Sequence, residues 1–157
     1  YFRLALNQGH EQIALKDEID HIRQYLFIQK QRYGDKLQYE IEEDESIADY
    51  KLPKLVLQPL VENAIYHGIK EIDRQGMIRV TSVAEEGRMI LSIYDNGRGF
   101  DVNASIDATF LRLGGVGLKN VDQRLRLQFG DDYHMEIQSE PDKFTRISLY
   151  LPLVTDD

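Results

Sequence analysis

The chain has no cysteine in its 157 residues, so it has no disulfide framework and no thiolate metal site, which suits a reducing compartment. Positive charge is in deficit: 19 Lys and Arg stand against 27 Asp and Glu, for a formal charge of −8 and a pI near 5.0. That balance excludes the clustered basic surface a nucleic acid requires, so no nucleic-acid partner is expected. Long apolar runs are missing too, and none approaches the roughly 18 residues of a membrane span. No basic, signal-like segment is visible, and the opening Tyr1-Phe2-Arg3 reads as part of a longer protein. Zinc is not expected, because no two histidines or carboxylates share ligand spacing within one helix. Internal repeats and low-complexity segments are absent. What is present is a 42% hydrophobic content, enough for one globular domain with a core.

Residues 1–12 are polar and irregular after Leu4. The spacing of Leu15, Ile19, Ile22, Leu26 and Phe27 predicts a helix from Leu15 to Tyr33 with those five side chains on one face. Asp17, Glu18 and Asp20 in its first turns and Lys30 and Arg32 in its last suit the helix dipole, and Gly34 supplies a stop. Leu37, Tyr39 and Ile41 alternate as in a half-buried strand, and the acid-rich run Glu40 to Glu45 leads into a solvated turn. Pro53 and Pro59 bracket a short apolar link. A second helix is predicted from Pro59, where a missing N–H is harmless, to Gly68. Met77 to Val83 and Met89 to Tyr94 read as strands joined by a hairpin at Glu85-Glu86-Gly87. Residues 101–114 are loop-like, around Phe110 and Leu111. A third helix, opened by Gly115-Val116-Gly117 and closed by Gly130, carries Leu118, Val121, Leu125 and Phe129. Tyr133 to Ser139 and Phe144 to Leu151 form a final strand pair. This order predicts an α/β (α+β) chain: a two-layer sandwich, its mixed sheet covered on one face by helices.

Three features carry chemistry. Asn63 and Glu62 sit in the middle of an otherwise apolar helix that needs neither, and Asn is a mediocre helix former. An Asn amide oxygen suits a hard cation such as Mg2+; a buried, satisfied amide is the competing account. Asp95-Asn96-Gly97-Arg98-Gly99 follows a strand directly, so Asp95 can offer a carboxylate to an exocyclic amino group while the glycines let the backbone approach a planar base. An ordinary Asp-Asn-Gly turn is the alternative. Glycines 115 and 117 precede a helix, where several N–H groups and the dipole favour an anion; a plain turn accounts for them equally well.

Together these phrases resemble the GHKL ATPase/kinase superfamily. Gln58-Pro59-Leu60-Val61-Glu62-Asn63-Ala64 with His67-Gly68 is similar to its asparagine box, Asp95-x-Gly97-x-Gly99 to its first glycine box, and Gly115-x-Gly117-Leu118 to its second. Within it, the wording around Tyr25–Tyr33 and Gly117-Leu118-Lys119-Asn120-Val121 resembles the LytS-like sensor histidine kinases of two-component systems. The resemblance implies a Bergerat-type ATP-binding fold, with ATP and Mg2+ as cofactors. It implies Asn63 as Mg2+ ligand and catalytic-site residue, Glu62 as a second catalytic candidate, and Asp95 as acceptor for the adenine amino group. Gly97 and Gly99 would line the base, and Gly115, Gly117 and the Leu118 amide would meet phosphates. His67 would stand near the nucleotide, with Lys119 and Thr145 as further contacts. Residues 1–34 correspond to the segment joining a dimerisation region to the ATP domain, and 35–157 to that domain.

The implied partners are the kinase's own dimerisation and phosphoacceptor domain and a cognate response regulator. The full-length protein is expected to be a homodimer in the cell membrane, with this part cytoplasmic. Two departures stand out: Asp142-Lys143-Phe144-Thr145 keeps only Thr145 of the family's pattern, and residues 101–114 are short for a lid. None of His10, His21, His67 and His134 stands in the family's Pro-His-Phe acceptor context, so the phosphoacceptor is expected elsewhere. The competing readings are a serine kinase of the anti-sigma-factor type, an ATPase module, and an interaction domain with a decayed nucleotide site.

Overall fold

The computed structural model describes residues 11–102, 109, 113 and 116–154. The expectations placed on His10, Phe110, Leu111 and Gly115, and on a lid across 101–114 as a whole, lie outside the described residues.

Helix α1 spans Leu15–Tyr33 and buries Leu15, Ile19, Ile22 and Leu26. It ends where Gly34 turns to φ 60° and returns its N–H to the Lys30 carbonyl. Phe27 does not join that face and is 59% exposed. At 100° per residue it points well away from the Leu15–Leu26 stripe, which Glu18 joins instead, 1% exposed.

The main sheet has five strands in the order β2-β4-β5-β7-β6: β2 (Leu37–Glu42), β4 (Gly76–Glu85), β5 (Arg88–Asp95), β6 (His134–Glu140) and β7 (Phe144–Pro152). Strands β2 and β4 run parallel, from Leu37 opposite Gly76 to Glu42 opposite Thr81; the other pairings are antiparallel. The β4–β5 hairpin closes with Glu85 opposite Arg88. Its two loop residues, Glu86 and Gly87, both have positive φ, the twist that suits a two-residue hairpin. Alternation is clean in β4 and β5, where Ile78, Val80, Leu91 and Ile93 are buried and Arg79 and Ser92 between them are half-buried, whereas in β7 Ser148 is buried along with Ile147 and Leu149. A two-stranded ribbon, β1 (Gln12–Ala14) with β3 (Lys51–Pro53), was not expected from the sequence, since neither piece is long enough to show a period.

Helix α2 starts at Leu57, two residues before Pro59, and runs to Asn63. It continues as a wider π-helical turn, Ala64–Ile69, in which Lys70 N–H reaches the Ile65 carbonyl at 2.9 Å. Gly68 therefore lies inside this turn rather than stopping the helix. A methyl group there would sit 2.5 Å from Asp95 Oδ1, so close approach explains the glycine. Helix α3, Val116–Phe129, buries Leu118, Val121 and Leu125. Leu26, Leu60, Ile65, Leu91, Leu125 and Leu149 belong to one hydrophobic core, which joins the helices to the inner face of the sheet. The fold is thus the expected two-layer sandwich with a mixed sheet.

One polar tie fixes α3 to the sheet side. The buried Tyr133 hydroxyl donates to Asp122 Oδ1 at 2.7 Å, and Arg126 holds the other carboxylate oxygen at 3.2 Å. Burial, and then the Asp122 carboxylate, push the Tyr133 phenol far up, so it stays a donor. Tyr133→Phe removes a bond to a charged, nearly buried acceptor and is expected to lower stability by about 1–3 kcal/mol in urea unfolding. An unchanged midpoint would show that Arg126 alone satisfies Asp122.

Candidate functional site

A cavity of about 450 Å³ opens between the α2 layer and the sheet, within the range of small-molecule and cofactor sites. Leu60, Asn63, Ala64, His67 and Gly68 form one wall, and Ile93, Asp95, Thr145 and Ile147 rise from the sheet. Arg98, Gly99, Phe100 and Asp142 border it from the loops. A smaller adjoining cavity of about 150 Å³ is lined by Pro59, Glu62, Tyr66, Gly117 and Leu118. Asn63, His67 and Leu113 line both, so Asn63 stands at their junction.

Asp95 ends β5 and is only 4% exposed. Burial pushes its carboxyl up to about 7, with the Gly97 N–H on Oδ1 at 2.9 Å opposing that rise. The loop after it is tied to the end of α2. Arg98 N–H donates to the Gly68 carbonyl at 3.0 Å and Arg98 Nε to the His67 carbonyl at 2.9 Å. Arg74 gathers the carbonyls of Asn96, Gly97 and Asp142 from outside. Asn96 locks the loop to β4, accepting from Met77 N–H at 2.7 Å. These ties press two backbones together: a methyl group on Gly97 would lie 2.2 Å from the Gly68 carbonyl carbon and oxygen. Gly99, at φ 57°, would place one 1.9 Å from the Glu140 carbonyl oxygen.

Asn63 is 9% exposed, and its Nδ2 has no hydrogen-bond partner among the described residues. A buried N–H donor without a partner is costly, and an acceptor on a ligand entering the cavity junction is the natural source of one; the amide oxygen is the atom of Asn63 that could meet a hard cation. His67 is half-buried; burial and then Arg98 hold its imidazole below the usual value, with Glu71 opposing. Glu62 accepts from Gln58 Nε2 at 2.8 Å, and the Gln58 carbonyl oxygen in turn meets His21 Nε2 of α1.

Of the residues singled out from sequence, Asn63, His67, Asp95, Gly99 and Thr145 line the larger cavity, and Glu62, Gly117 and Leu118 the smaller. Gly97 lies buried within the loop and lines neither cavity. Lys119 is exposed and lines neither cavity. Sequence reasoning missed Arg74, His21 and Gln58. Nothing local marks Arg74 among polar loop residues, whereas Gln58 lies four residues before Glu62, a spacing that signals contact on a helix.

A two-layer sandwich with a cofactor-sized pocket between its helices and sheet defines a class of nucleotide-binding domain. Residues 48–155 match the family described as histidine kinase-, DNA gyrase B- and HSP90-like ATPase, and the chain belongs to that family. Residues 1–37 match a second family, described as histidine kinase. The sensor histidine kinase BtsS of Escherichia coli is 38% identical over 152 residues, covering 97% of this chain and 26% of that protein. The sensor protein LytS of Bacillus subtilis is 32% identical over 160 residues, covering 98% and 27%. The chain thus spans about a quarter of the length of these relatives. The catalytic domain of histidine kinase ThkA superposes with a TM-score of 0.67 at 17% identity, over 93% of this chain and 98% of that one. The Bergerat-type architecture expected from the resemblance is the one present. Among the described residues no helix is long and apolar enough to cross a membrane.

Proposed function

We propose that this chain is the ATP-binding catalytic domain of a sensor histidine kinase. It positions Mg-ATP for phosphoryl transfer to a histidine carried by another part of the full-length protein, and from there to a response regulator. The observation that carries this reading is the junction at Asn63: a buried amide whose Nδ2 has no partner among the described residues, lining a cavity that the Asp95 carboxylate also lines.

In this reading Asp95 accepts from the adenine amino group, Gly97 and Gly99 let the backbone approach the base, and Thr145 lies on the sheet side. The Gly115–Leu118 segment meets the phosphates, with Gly117 and Leu118 already on the smaller cavity. Asn63 would hold Mg2+, His67, which lines both cavities, would stand near the nucleotide, and Glu62 would orient the acceptor. Lys119, exposed and at the start of α3, reaches phosphate only by extending over the rim. When bound, Mg2+ neutralises charge on the phosphates, and catalysis then rests on positioning. Residues 1–34 serve as the connection to the dimerisation region and 35–157 as the ATP domain. The whole protein acts as a membrane homodimer with this part in the cytoplasm. The ATPase reading is weaker, because Pro59 occupies the place one turn before Asn63 where a general-base carboxylate would stand.

A titration with a fluorescent ATP analogue, with Mg2+ and in EDTA, tests the reading. The chain is expected to bind more tightly with Mg2+. Asn63→Ala is expected to lose Mg2+ affinity by about 10- to 100-fold while keeping its EDTA affinity. A wild-type chain that binds no nucleotide sinks the proposal.

A further inference from the structure

Helix α2 begins without a cap of its own. Its N-cap residue is Val56, which has no side-chain acceptor, and Pro59 in the first turn has no N–H to offer. The unpaired N–H groups of a helix start still need partners, the more so where Val56 and Leu57 are buried. They find one on a different helix. Glu18 of α1 accepts from Leu55 N–H at 3.1 Å through Oε1, and from Val56 and Leu57 N–H at 2.7 and 3.0 Å through Oε2. The carboxylate is 1% exposed, so these bonds hold it away from water.

The carbonyl side of the same turn is held as well. Arg124 of α3 donates to the Lys54 carbonyl at 2.6 Å and to the Leu55 carbonyl at 3.3 Å. Burial lowers the Arg124 guanidinium, and the negative charge of Glu18 opposes that fall. Leu55 itself sits at φ 62°, a conformation a β-carbon disfavours. A strained residue of this kind persists only where its surroundings over-determine it. Here Glu18 and Arg124 do so from opposite sides.

The geometry points to Glu18 as a positioning residue. By capping the helix that carries Asn63, it sets where that amide stands in the nucleotide site from a helix that lines neither cavity. Asn63 lies six residues beyond Leu57, about 9 Å along the axis, with a buried helical face and no flexible link between them. Loss of the cap frees the first turn of α2 to shift or fray. Asn63 is the residue whose ligand geometry is least tolerant of that shift, because Mg2+ demands near-ideal coordination. This role rests on the nucleotide reading above and adds to it a residue that touches neither base nor phosphate.

The test measures the Mg2+-dependent gain in affinity for the fluorescent ATP analogue, with thermal melts on the same samples. Glu18→Gln keeps the shape but turns an amide donor toward backbone donors. It is expected to cut the Mg2+-dependent gain about tenfold while leaving the EDTA affinity at the wild-type level. Ile19→Val, one residue on in the same buried face, lowers the melting temperature with the cap intact and is expected to leave the gain unchanged. If Glu18→Gln lowers the melting temperature but keeps the full gain, or Ile19→Val loses as much of it, the cap is structural only and the role is overturned. Should Glu18→Gln show no cooperative melt, Arg124→Gln releases the carbonyl side of the turn instead; an undiminished gain there overturns the role equally. A wild-type chain without any Mg2+-dependent gain overturns the nucleotide reading and this role together, whereas a wild-type gain that survives undiminished in Glu18→Gln, or in Arg124→Gln where that variant replaces it, overturns this role alone.

Discussion

Asp95→Asn weakens ATP binding by about 100-fold or more, with the fold intact. The carboxylate has one oxygen engaged by Gly97 N–H at 2.9 Å. An asparagine must turn its carbonyl oxygen to that N–H, which in the proposed pose leaves its NH2 group facing the amino group of the base. Two donors then meet in a buried site where neither can reach water. The substitution is nearly isosteric, so a cooperative melt should survive. Wild-type affinity in this variant would sink Asp95 as the adenine acceptor.

The same carboxyl makes binding and stability depend on pH in opposite directions. Burial raises it to about 7 in the empty pocket, above its unfolded value, so the folded chain favours the protonated form. Its contribution to stability is therefore full below about pH 4 and is lost as pH rises through about 7, on the order of a few kcal/mol. In the proposed role the adenine amino group needs the ionised form, so ATP affinity should climb between about pH 5 and 7 and level off above. Calorimetry in buffers of different ionisation enthalpy should show proton release on binding at the acid end. Affinity that is flat across this range in the wild type, or equally pH-dependent in Asp95→Asn, would refute the assignment.

Gly97→Ala has the largest expected effect on the fold. The added methyl would lie 2.2 Å from the Gly68 carbonyl carbon and oxygen and 2.5 Å from its Cα, all of them backbone atoms. No rotamer change relieves such an overlap; either the Asp95–Gly99 loop or the end of α2 must move. Overpacking of this kind costs about 3 kcal/mol, or about 6–12 °C in melting temperature for a domain of this size. Nucleotide binding should fall with it, since both segments wall the cavity. Gly87→Ala is the contrast: it has positive φ but nothing within 4 Å, and should cost only about 1–2 kcal/mol. A Gly97→Ala chain that melts like Gly87→Ala would show that the approach of the two backbones is not tight.

What was legible in the sequence was periodic or local. The stripe Leu15, Ile19, Ile22, Leu26 predicts α1, and the Glu86-Gly87 loop predicts the β4–β5 hairpin. The phrases around Asn63, Asp95 and Gly117 pointed to the residues that now line two adjoining cavities. What was illegible depended on a partner far along the chain. Gly68 looked like a helix stop because stops are commonly glycine, yet its reason is Asp95, 27 positions on by numbering. Glu18 reads as a dipole complement in the first turns, and it lies on the buried stripe with Leu15 and Ile22. A carboxylate on an apolar face was the available signal for a remote cap. Phe27 follows Leu26 directly, so at 100° per residue it leaves the face that the spacing of the other four defines. Arg74 has no local signal at all, since three carbonyls from two loops give it its place.

The parallel pairing of β2 with β4 has a consequence for how the site comes into being. Parallel neighbours need a crossover, and here α2 with its Asn63 is part of it. The wall of the cavity therefore has no independent existence as a local hairpin or helix pair. It is in place only once Leu37 has found Gly76, a contact whose loop-closure entropy must be overcome before the pairing stabilises anything. Newly made chains should thus acquire ATP-binding competence in the same kinetic step as the sheet, not before it. A partly folded population with helices but no parallel pair would be blind to nucleotide.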